Sequence, residues 1–167
     1  FIAKGRVKVN SRPIFKPFYR IDPDKDIVTL DNSRVVPRSR IYLLLNKPEA
    51  VTTTRRDPYA EKTVLDLLPR EYRHLHPAGR LDKNTSGLLL LTNDGELTFR
   101  LTHPKFRVEK TYRAALDRPM VKRDAVRLKK GVLLDDGAAS CVKIRILKSR
   151  EVLVTICEGR KRQVRRM

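Results

Sequence analysis

A single carboxylate is the main candidate for a reacting group in this sequence. Asp82 lies in the stretch HPAGRLDKNTSGLLLLTNDGEL, two residues after Arg80 and just before small hydroxyl residues and a glycine. A carboxylate beside cations stays ionised and can act as a nucleophile or as an electrostatic stabiliser. Aspartate also stabilises turns through local backbone hydrogen bonds, and these residues alone favour that ordinary role.

Other familiar catalytic patterns are missing from the sequence. The three histidines lack the spacing and the additional ligands of a metal site, so surface or structural roles fit them better. The segment TSG has no glycine two residues before its serine, which a nucleophile elbow requires. There is neither a glycine-rich phosphate loop nor a flanking pair of carboxylates suited to hydrolysis.

Two further segments combine cations with groups that suit nucleic acid. Tyr112 lies in the basic segment EKTYRAAL, where its ring can stack on a nucleobase; a tyrosine half-buried on a sheet is the alternative. The segment EGRKRQVRRM places five cations within seven residues, a pattern typical of a solvated face that binds phosphates without specificity. Gln163 and Val164 interrupt these charges, which favours a helix start that presents some groups inward.

The charge balance favours a polyanionic partner. The 167 residues include 38 Lys and Arg against 19 Asp and Glu, a formal net charge of +19. Phosphate backbones are the commonest polyanions that such chains bind. A basic surface serving solubility alone is the alternative, but a balanced mixture of signs would give solubility with less self-repulsion.

Cysteine usage and hydropathy predict a cytoplasmic protein, with the matrix of an organelle as the alternative. Cys141 and Cys157 both lie in apolar, strand-like contexts and resemble small core residues, with one disulfide left as an open alternative. No signal peptide is visible, and no apolar run approaches the roughly 20 residues of a membrane span. A monomer is the default expectation.

Short strands and helices must position these candidate residues. Residues 41–45 and 88–91 are nearly continuous apolar runs, which predict strands covered on both faces. TVLDLLP predicts a short helix with Thr63 as its N-cap. A second helix is predicted from a capping box at Asn93 to about residues 103–104, and a third ends at Gly131.

The order of elements predicts an α+β fold. Strands are predicted for VEKTYRAAL, ASCVKIRIL and EVLVTICEG, so helices flank a mixed, mainly antiparallel sheet. The first forty residues offer two short strands, at residues 7–9 and 27–30, each followed by a polar turn. Their core is too small to stand alone, which predicts the end of a β-containing module whose helical part is missing.

Taken in order, three motifs resemble those of the pseudouridine synthases of the RsuA/RluB type. GRLDKNTSGLLLLTNDGEL is similar to the family's catalytic motif, EKTYRAAL to its tyrosine motif and EGRKRQVRRM to its third motif. LLLNKPEAVTTT is similar to the strand that opens the family's catalytic domain. The resemblance implies a catalytic domain at residues 38–167 that continues past Met167. It also implies that residues 1–37 are the C-terminal part of an S4-like RNA-binding module.

The resemblance implies isomerisation of a uridine in ribosomal RNA without a cofactor or metal. The C1′–N1 bond breaks, the uracil turns while bound, and C5 joins C1′. At the matching positions Asp82 would be the catalytic aspartate, and Tyr112 would stack on the base and move a proton. Arg165 would pair with the aspartate and orient it, and Val164 would pack against the uracil.

The residues expected to bind RNA are chosen by their positions in and beside the three motifs. Contacts to RNA are expected from the basic residues around the motifs, namely Arg80, Lys110, Lys161 and Arg162. Two departures stand out, because the family usually has Gly at Ala50 and often Asn at Lys161. The segment TTTRRDPYAEKTVLDLLP is closer to the branch that modifies large-subunit RNA, so the expected partner is ribosomal RNA or a ribosomal precursor particle. The alternative is a non-catalytic RNA-binding or ribosome-assembly protein on the same scaffold, although such a protein needs no lone carboxylate among cations.

Overall fold

The computed structural model describes residues 1–36, 39–55 and 57–167. The chain divides into two units, Phe1–Ser39 and Arg40–Met167. The predicted domain boundary between residues 37 and 38 lies outside the described residues. All of the predicted site residues belong to the second unit.

The first unit is an antiparallel sheet of short strands joined by tight turns. Its spatial order is β2-β1-β3-β4, with the strands β1 (Val7–Val9), β2 (Arg12–Pro13), β3 (Val28–Leu30) and β4 (Ser33–Arg34). The predicted turns are confirmed: φ is 47° and 69° at Asn10 and Ser11, and 49° and 66° at Asp31 and Asn32. Positive φ at both central residues is the hairpin geometry that matches the twist of the flanking strands. The S4-like identity of this unit stays a prediction.

The first sheet of the second unit carries the strand that follows Asp82. Its spatial order is β5-β7-β6, all antiparallel, with the strands β5 (Tyr42–Lys47), β6 (His76–Pro77) and β7 (Gly87–Thr92). Two short 3-10 helices, Val64–Leu67 and Arg70–Tyr72, lie between β5 and β6 in the chain. The core on this sheet consists of Val51, Val64, Leu65, Leu68, Leu75, Leu89 and Leu91.

The prediction that β5 and β7 are covered on both faces is wrong. Leu89 and Leu91 are buried, but Leu88 is 71% exposed and Leu44 is 67% exposed. Side chains alternate between the two faces of a strand, so one face of this pair packs on the core and the other is open. Leucine occupies both faces here, and the sequence therefore lacked the polar alternation that marks a half-exposed strand.

The second sheet of this unit carries Tyr112. Its spatial order is β11-β12-β8, all antiparallel, with the strands β8 (Lys110–Ala115), β11 (Lys143–Lys148) and β12 (Glu151–Ile156). A separate two-stranded hairpin lies between β8 and β11 in the chain and consists of β9 (Val132–Leu134) and β10 (Gly137–Ala139). Its core contains Cys141, Val152, Val154 and Ile156. The α+β prediction, with mainly antiparallel strands, is confirmed.

Three α-helices connect or follow these strands: α1 (Gly95–Thr102), α2 (Lys122–Lys130) and α3 (Gln163–Arg166). The N-cap at Thr63 and the C-cap at Gly131 are confirmed, and the structure adds that Thr63 forms a capping box with Asp66. The cap predicted at Asn93 is wrong by one residue, because Asp94 accepts the hydrogen bond from the Leu97 N–H at 3.0 Å. Asn93 instead accepts one from the Ile41 N–H at 2.8 Å, at the start of β5.

Three further predictions concern single features. Helix α1 ends at Thr102, and the predicted last residues lead into a separate 3-10 helix, Pro104–Phe106. Both cysteines are free; Cys141 is buried, as predicted, whereas Cys157 is only half-buried. Within the described residues, no helix is long and apolar enough to cross a membrane.

Candidate active site

Asp82 lies in a tight turn between strands β6 and β7. The Thr85 N–H donates to the Asp82 carbonyl at 3.0 Å, which closes residues 82–85 into a turn. We call these residues the Asp82 turn. The Asp82 side chain is half-buried, so its carboxylate is accessible from the cavity described below.

A buried lysine donates a hydrogen bond to the backbone of this turn. Lys47, the last residue of β5, is 0% exposed. Its ammonium donates to the carbonyls of Pro48 and Val51, each at 2.8 Å, and to that of Lys83 at 3.1 Å. All three N–H groups therefore have an acceptor, and one acceptor lies directly after Asp82. Burial lowers the pKa of Lys47, while the charges of Glu49 and Asp82 act in the opposite direction.

Two other side chains bind the Asp82 turn or the residue just before it. The Thr53 hydroxyl donates to the Leu81 carbonyl at 2.7 Å. The Arg165 guanidinium donates to the Asn84 carbonyl and lies 3.4 Å from the Thr85 hydroxyl. The ammonium of Lys47, the hydroxyl of Thr53 and the guanidinium of Arg165 thus bind backbone carbonyls on both sides of Asp82. These contacts limit the movement of Asp82.

Asp82 and Tyr112 face one cavity of about 1080 Å³. This volume is comparable with that of known small-molecule sites, roughly 300–1,000 Å³. Of the predicted site residues, six line this cavity: Arg80, Asp82, Tyr112, Arg162, Val164 and Arg165. The structure therefore brings the three resembling motifs together from distant parts of the chain.

Tyr112 is held by the second sheet. It pairs with Val154 across the β8–β12 ladder and packs against the buried cluster of that sheet. Burial raises the pKa of its phenol, and the negative charge of Asp82 raises it further. The phenol therefore stays protonated at neutral pH, and the ring stands as a neutral aromatic surface beside a carboxylate.

The predicted contact between Arg165 and Asp82 takes a different form in the structure. No ion pair within 4.0 Å joins these two residues in the part of the chain that is described. Arg165 instead reaches the carbonyl and hydroxyl groups of the Asp82 turn. Its direct pairing with the carboxylate stays a prediction.

Two predicted RNA-binding lysines lie away from the cavity lining. The Lys110 ammonium donates to the Val108 carbonyl at 3.1 Å, and Lys161 is exposed. Their contacts to RNA stay predictions. Ala50, the departure from a family glycine, adopts φ of 63°, which is the left-handed region where glycine is preferred.

Comparison with known proteins decides the family. The family model described as RNA pseudouridylate synthase matches residues 41–167. The chain belongs to this family. The resemblance to pseudouridine synthases is thus confirmed, and the enzyme is an RNA pseudouridine synthase, an isomerase.

Relatives match the chain over nearly its whole length. An RNA pseudouridine synthase of Aquifex aeolicus is 39% identical over 170 residues, which are 99% of this chain and 68% of that protein. The ribosomal large subunit pseudouridine synthase B of Bacillus subtilis is 36% identical over 172 residues, covering 99% and 70%. A crystal structure of a pseudouridylate synthase superimposes with a TM-score of 0.72 at 31% identity and covers 99% of this chain and 72% of that one.

Sequence reasoning missed the role of Lys47, which binds the Asp82 turn of this synthase. The signal was present, because alternation along β5 places position 47 on the same inward face as Leu43 and Leu45. A lysine at an inward position must find acceptors for its three N–H groups. The carbonyls that accept them belong to loops whose course is not apparent from local sequence.

Proposed function

We propose that this protein isomerises a specific uridine of ribosomal RNA to pseudouridine, and that RNA of the large subunit is its substrate. The observation that carries this proposal is the placement of Asp82 and Tyr112 on one cavity. The Bacillus subtilis relative named for the large ribosomal subunit supports the choice of RNA. The net charge of +19 suits a phosphate backbone.

In the proposed reaction, Asp82 acts on the sugar of the target uridine. Its carboxylate attacks C1′ or stabilises the positive charge that develops there as the C1′–N1 bond breaks. The released uracil turns, C5 forms the new bond to C1′, the C5 proton leaves and N1 gains a proton. The reaction is an isomerisation, so atoms and electrons balance without an external reactant.

Tyr112 and Val164 hold the base during this rotation. Both line the cavity that contains Asp82. The protonated phenol ring offers a π-face on which a pyrimidine stacks, a contact worth about 1–3 kcal/mol per base. Because a base in a helix cannot reach such a cavity, the target must be extruded at a cost of a few kcal/mol. Contacts from cations such as Arg80 and Arg162 to the phosphates offset this cost.

Release of tritium from C5 of uridine tests the proposal. The complete natural protein is incubated with large- or small-subunit RNA that carries [5-³H]uridine, and release is compared between wild type and Asp82→Asn. We expect Asp82→Asn to lose about 1,000-fold or more of the activity. Its affinity for RNA should change less than about twofold, because phosphate contacts dominate binding.

Asp117→Asn is the matched control, because it removes the same charge from the lining of the same cavity. Its activity should stay close to that of the wild type. Equal release from wild type and Asp82→Asn would eliminate the proposed role of the carboxylate. A folded wild type that binds these RNAs but releases no tritium would favour the non-catalytic RNA-binding protein. Release only from small-subunit RNA would show that the substrate is small-subunit RNA and not large-subunit RNA. Cytoplasmic location and a monomeric state stay predictions.

A further inference from the structure

The turn of the β9–β10 hairpin contacts the segment that carries the last motif. The Asp136 carboxylate accepts hydrogen bonds from Arg166 at 2.9 Å and 2.8 Å and from Arg160 at 3.1 Å. Arg166 also contacts the carboxylate of Asp135. One carboxylate thus binds two arginines that lie six positions apart in the chain.

Arg160 is further tied to the hairpin backbone. Its guanidinium donates to the carbonyls of Asp136 and Gly137, each at 3.2 Å, and to the carboxylate of Glu158 at 3.1 Å. The side chains of Arg160 and Arg166 are only 22% and 24% exposed. Carboxylates of the protein therefore balance their charges, whereas Lys161, Arg162 and Arg165 are exposed.

Helix α3, which follows Arg160 and ends at Arg166, cannot hold its position alone. Helix α3 spans only Gln163–Arg166, and a single turn of helix is unstable without tertiary contacts. Val164 and Arg165 project from it into the cavity lining, and Arg165 reaches the Asp82 turn. Their placement therefore depends on whatever fixes the two ends of this segment.

We propose that Asp136 is a positioning residue, which binds Arg160 and Arg166 at the two ends of the segment and thereby holds Val164 and Arg165 at the cavity. This inference rests on the proposed function, since it assigns a purpose to the geometry of that site. Asp136 itself does not line the cavity, so it acts through α3. The negative charge matters because Asp136 is the carboxylate that both guanidiniums share, and it offsets their mutual repulsion.

Asp136→Asn tests the inference, with Asp135→Asn as the matched control. Asp135 is 80% exposed and contacts only Arg166 among the described residues, so the same change there should have little effect. In the complete natural protein, we expect Asp136→Asn to lower kcat for uridine isomerisation by about 10- to 100-fold, as expected for misplaced groups. KM for RNA should stay within about twofold, because phosphate contacts are intact.

Amide hydrogen exchange provides a readout that does not require activity. Asp136→Asn should accelerate exchange at residues 160–167 and leave strand β12 protected, and Asp136→Glu should restore part of both kcat and protection. An unchanged kcat in Asp136→Asn would overturn the inference, as would faster exchange throughout β12, which indicates a general loss of stability. A wild type that makes no pseudouridine would overturn the proposed function and, with it, the positioning role of Asp136. An active wild type with an unaffected Asp136→Asn variant would overturn the inference alone.

Discussion

Two walls of the cavity, the Asp82 turn and helix α3, are held in place by different kinds of hydrogen-bond acceptor. On the first wall, Lys47, Thr53 and Arg165 donate to backbone carbonyls of or beside the Asp82 turn. On the second, Arg160 and Arg166 donate mainly to the carboxylates around α3. Carbonyls do not titrate in the ordinary pH range, whereas carboxylates do. Acid should therefore affect the wall with Asp82 less than the wall with α3.

Removal of the buried ammonium should have the largest effect on stability. Lys47→Met leaves three carbonyls without their donor, so we expect a loss of about 3 kcal/mol in the free energy of unfolding. Denaturant titration measures it, and Lys62→Met, at an exposed position, should stay within about 0.5 kcal/mol of the wild type. A loss below about 1 kcal/mol for Lys47→Met would show that the first wall does not depend on this lysine.

Acid should distinguish the two walls. The hydrogen bond from Arg166, followed by the charges of Arg166 and Arg160, lowers the pKa of Asp136 in the folded state. The stability that this carboxylate contributes is thus fully present above its unfolded pKa of about 3.9 and is lost as pH falls through the lower folded value. The difference in stability between wild type and Asp136→Asn should therefore shrink in that range.

The corresponding difference for Lys47→Met provides the internal comparison for this acid titration. It should change less over the same acidic range, because the hydrogen-bond acceptors of Lys47 are carbonyls and only the charges of Glu49 and Asp82 act on it without a hydrogen bond. Unfolding midpoints measured from neutral to acidic pH give both differences. Two parallel curves would remove the distinction between the walls.

The salt dependence of RNA binding should distinguish the exposed arginines of the last motif from those bound to carboxylates. Arg162→Gln removes an exposed charge, and the slope of log affinity for RNA against log salt should fall by roughly 0.7 to 0.9. Arg166→Gln removes a charge that is already bound to Asp135 and Asp136, so it should lower stability and leave this slope unchanged. Filter binding across a range of salt concentrations measures both slopes, and equal slopes in the two variants would contradict the division.

The smallest expected effect concerns the loop that supplies acceptors to Lys47. Ala50 adopts a φ of 63°, where a Cβ is unfavourable, so Ala50→Gly should stabilise the protein by about 0.5–1 kcal/mol. Ala60→Gly is the control, since Ala60 is not among the residues with positive φ and the change should destabilise. Thermal unfolding measures both, and a loss of stability in Ala50→Gly would mean that the loop tolerates the methyl group without strain.

The sequence predicted those features whose cause is local. The polar turns of the first unit, the cap at Thr63 and the cap at Gly131 each follow from a few adjacent residues. The family resemblance located the cavity residues, since it rests on motifs rather than on contacts. Asn93 and Asp94 both fit a helix start, and only the contact of Asn93 with β5 decided between them.

Features that depend on distant partners were not predictable. Five cations in the last motif look equivalent in sequence, yet the hairpin carboxylates that bind two of them lie 24 to 31 residues earlier. The acceptors of Lys47 include the Lys83 carbonyl, which is 36 positions away. Such pairings depend on how the sheets and loops pack, and apolar periodicity carries no information about them.

The contact between Arg165 and the Asp82 turn has a consequence for synthesis of the protein. Its partners are separated by 81 positions in the chain. On the ribosome, residues 82–85 emerge long before residues 160–167, so a nascent chain can form its first sheet while the cavity still lacks a wall. The proposed isomerisation would then begin only after the last motif is synthesised, so that an unfinished polypeptide would leave unchanged the RNA that it is proposed to modify.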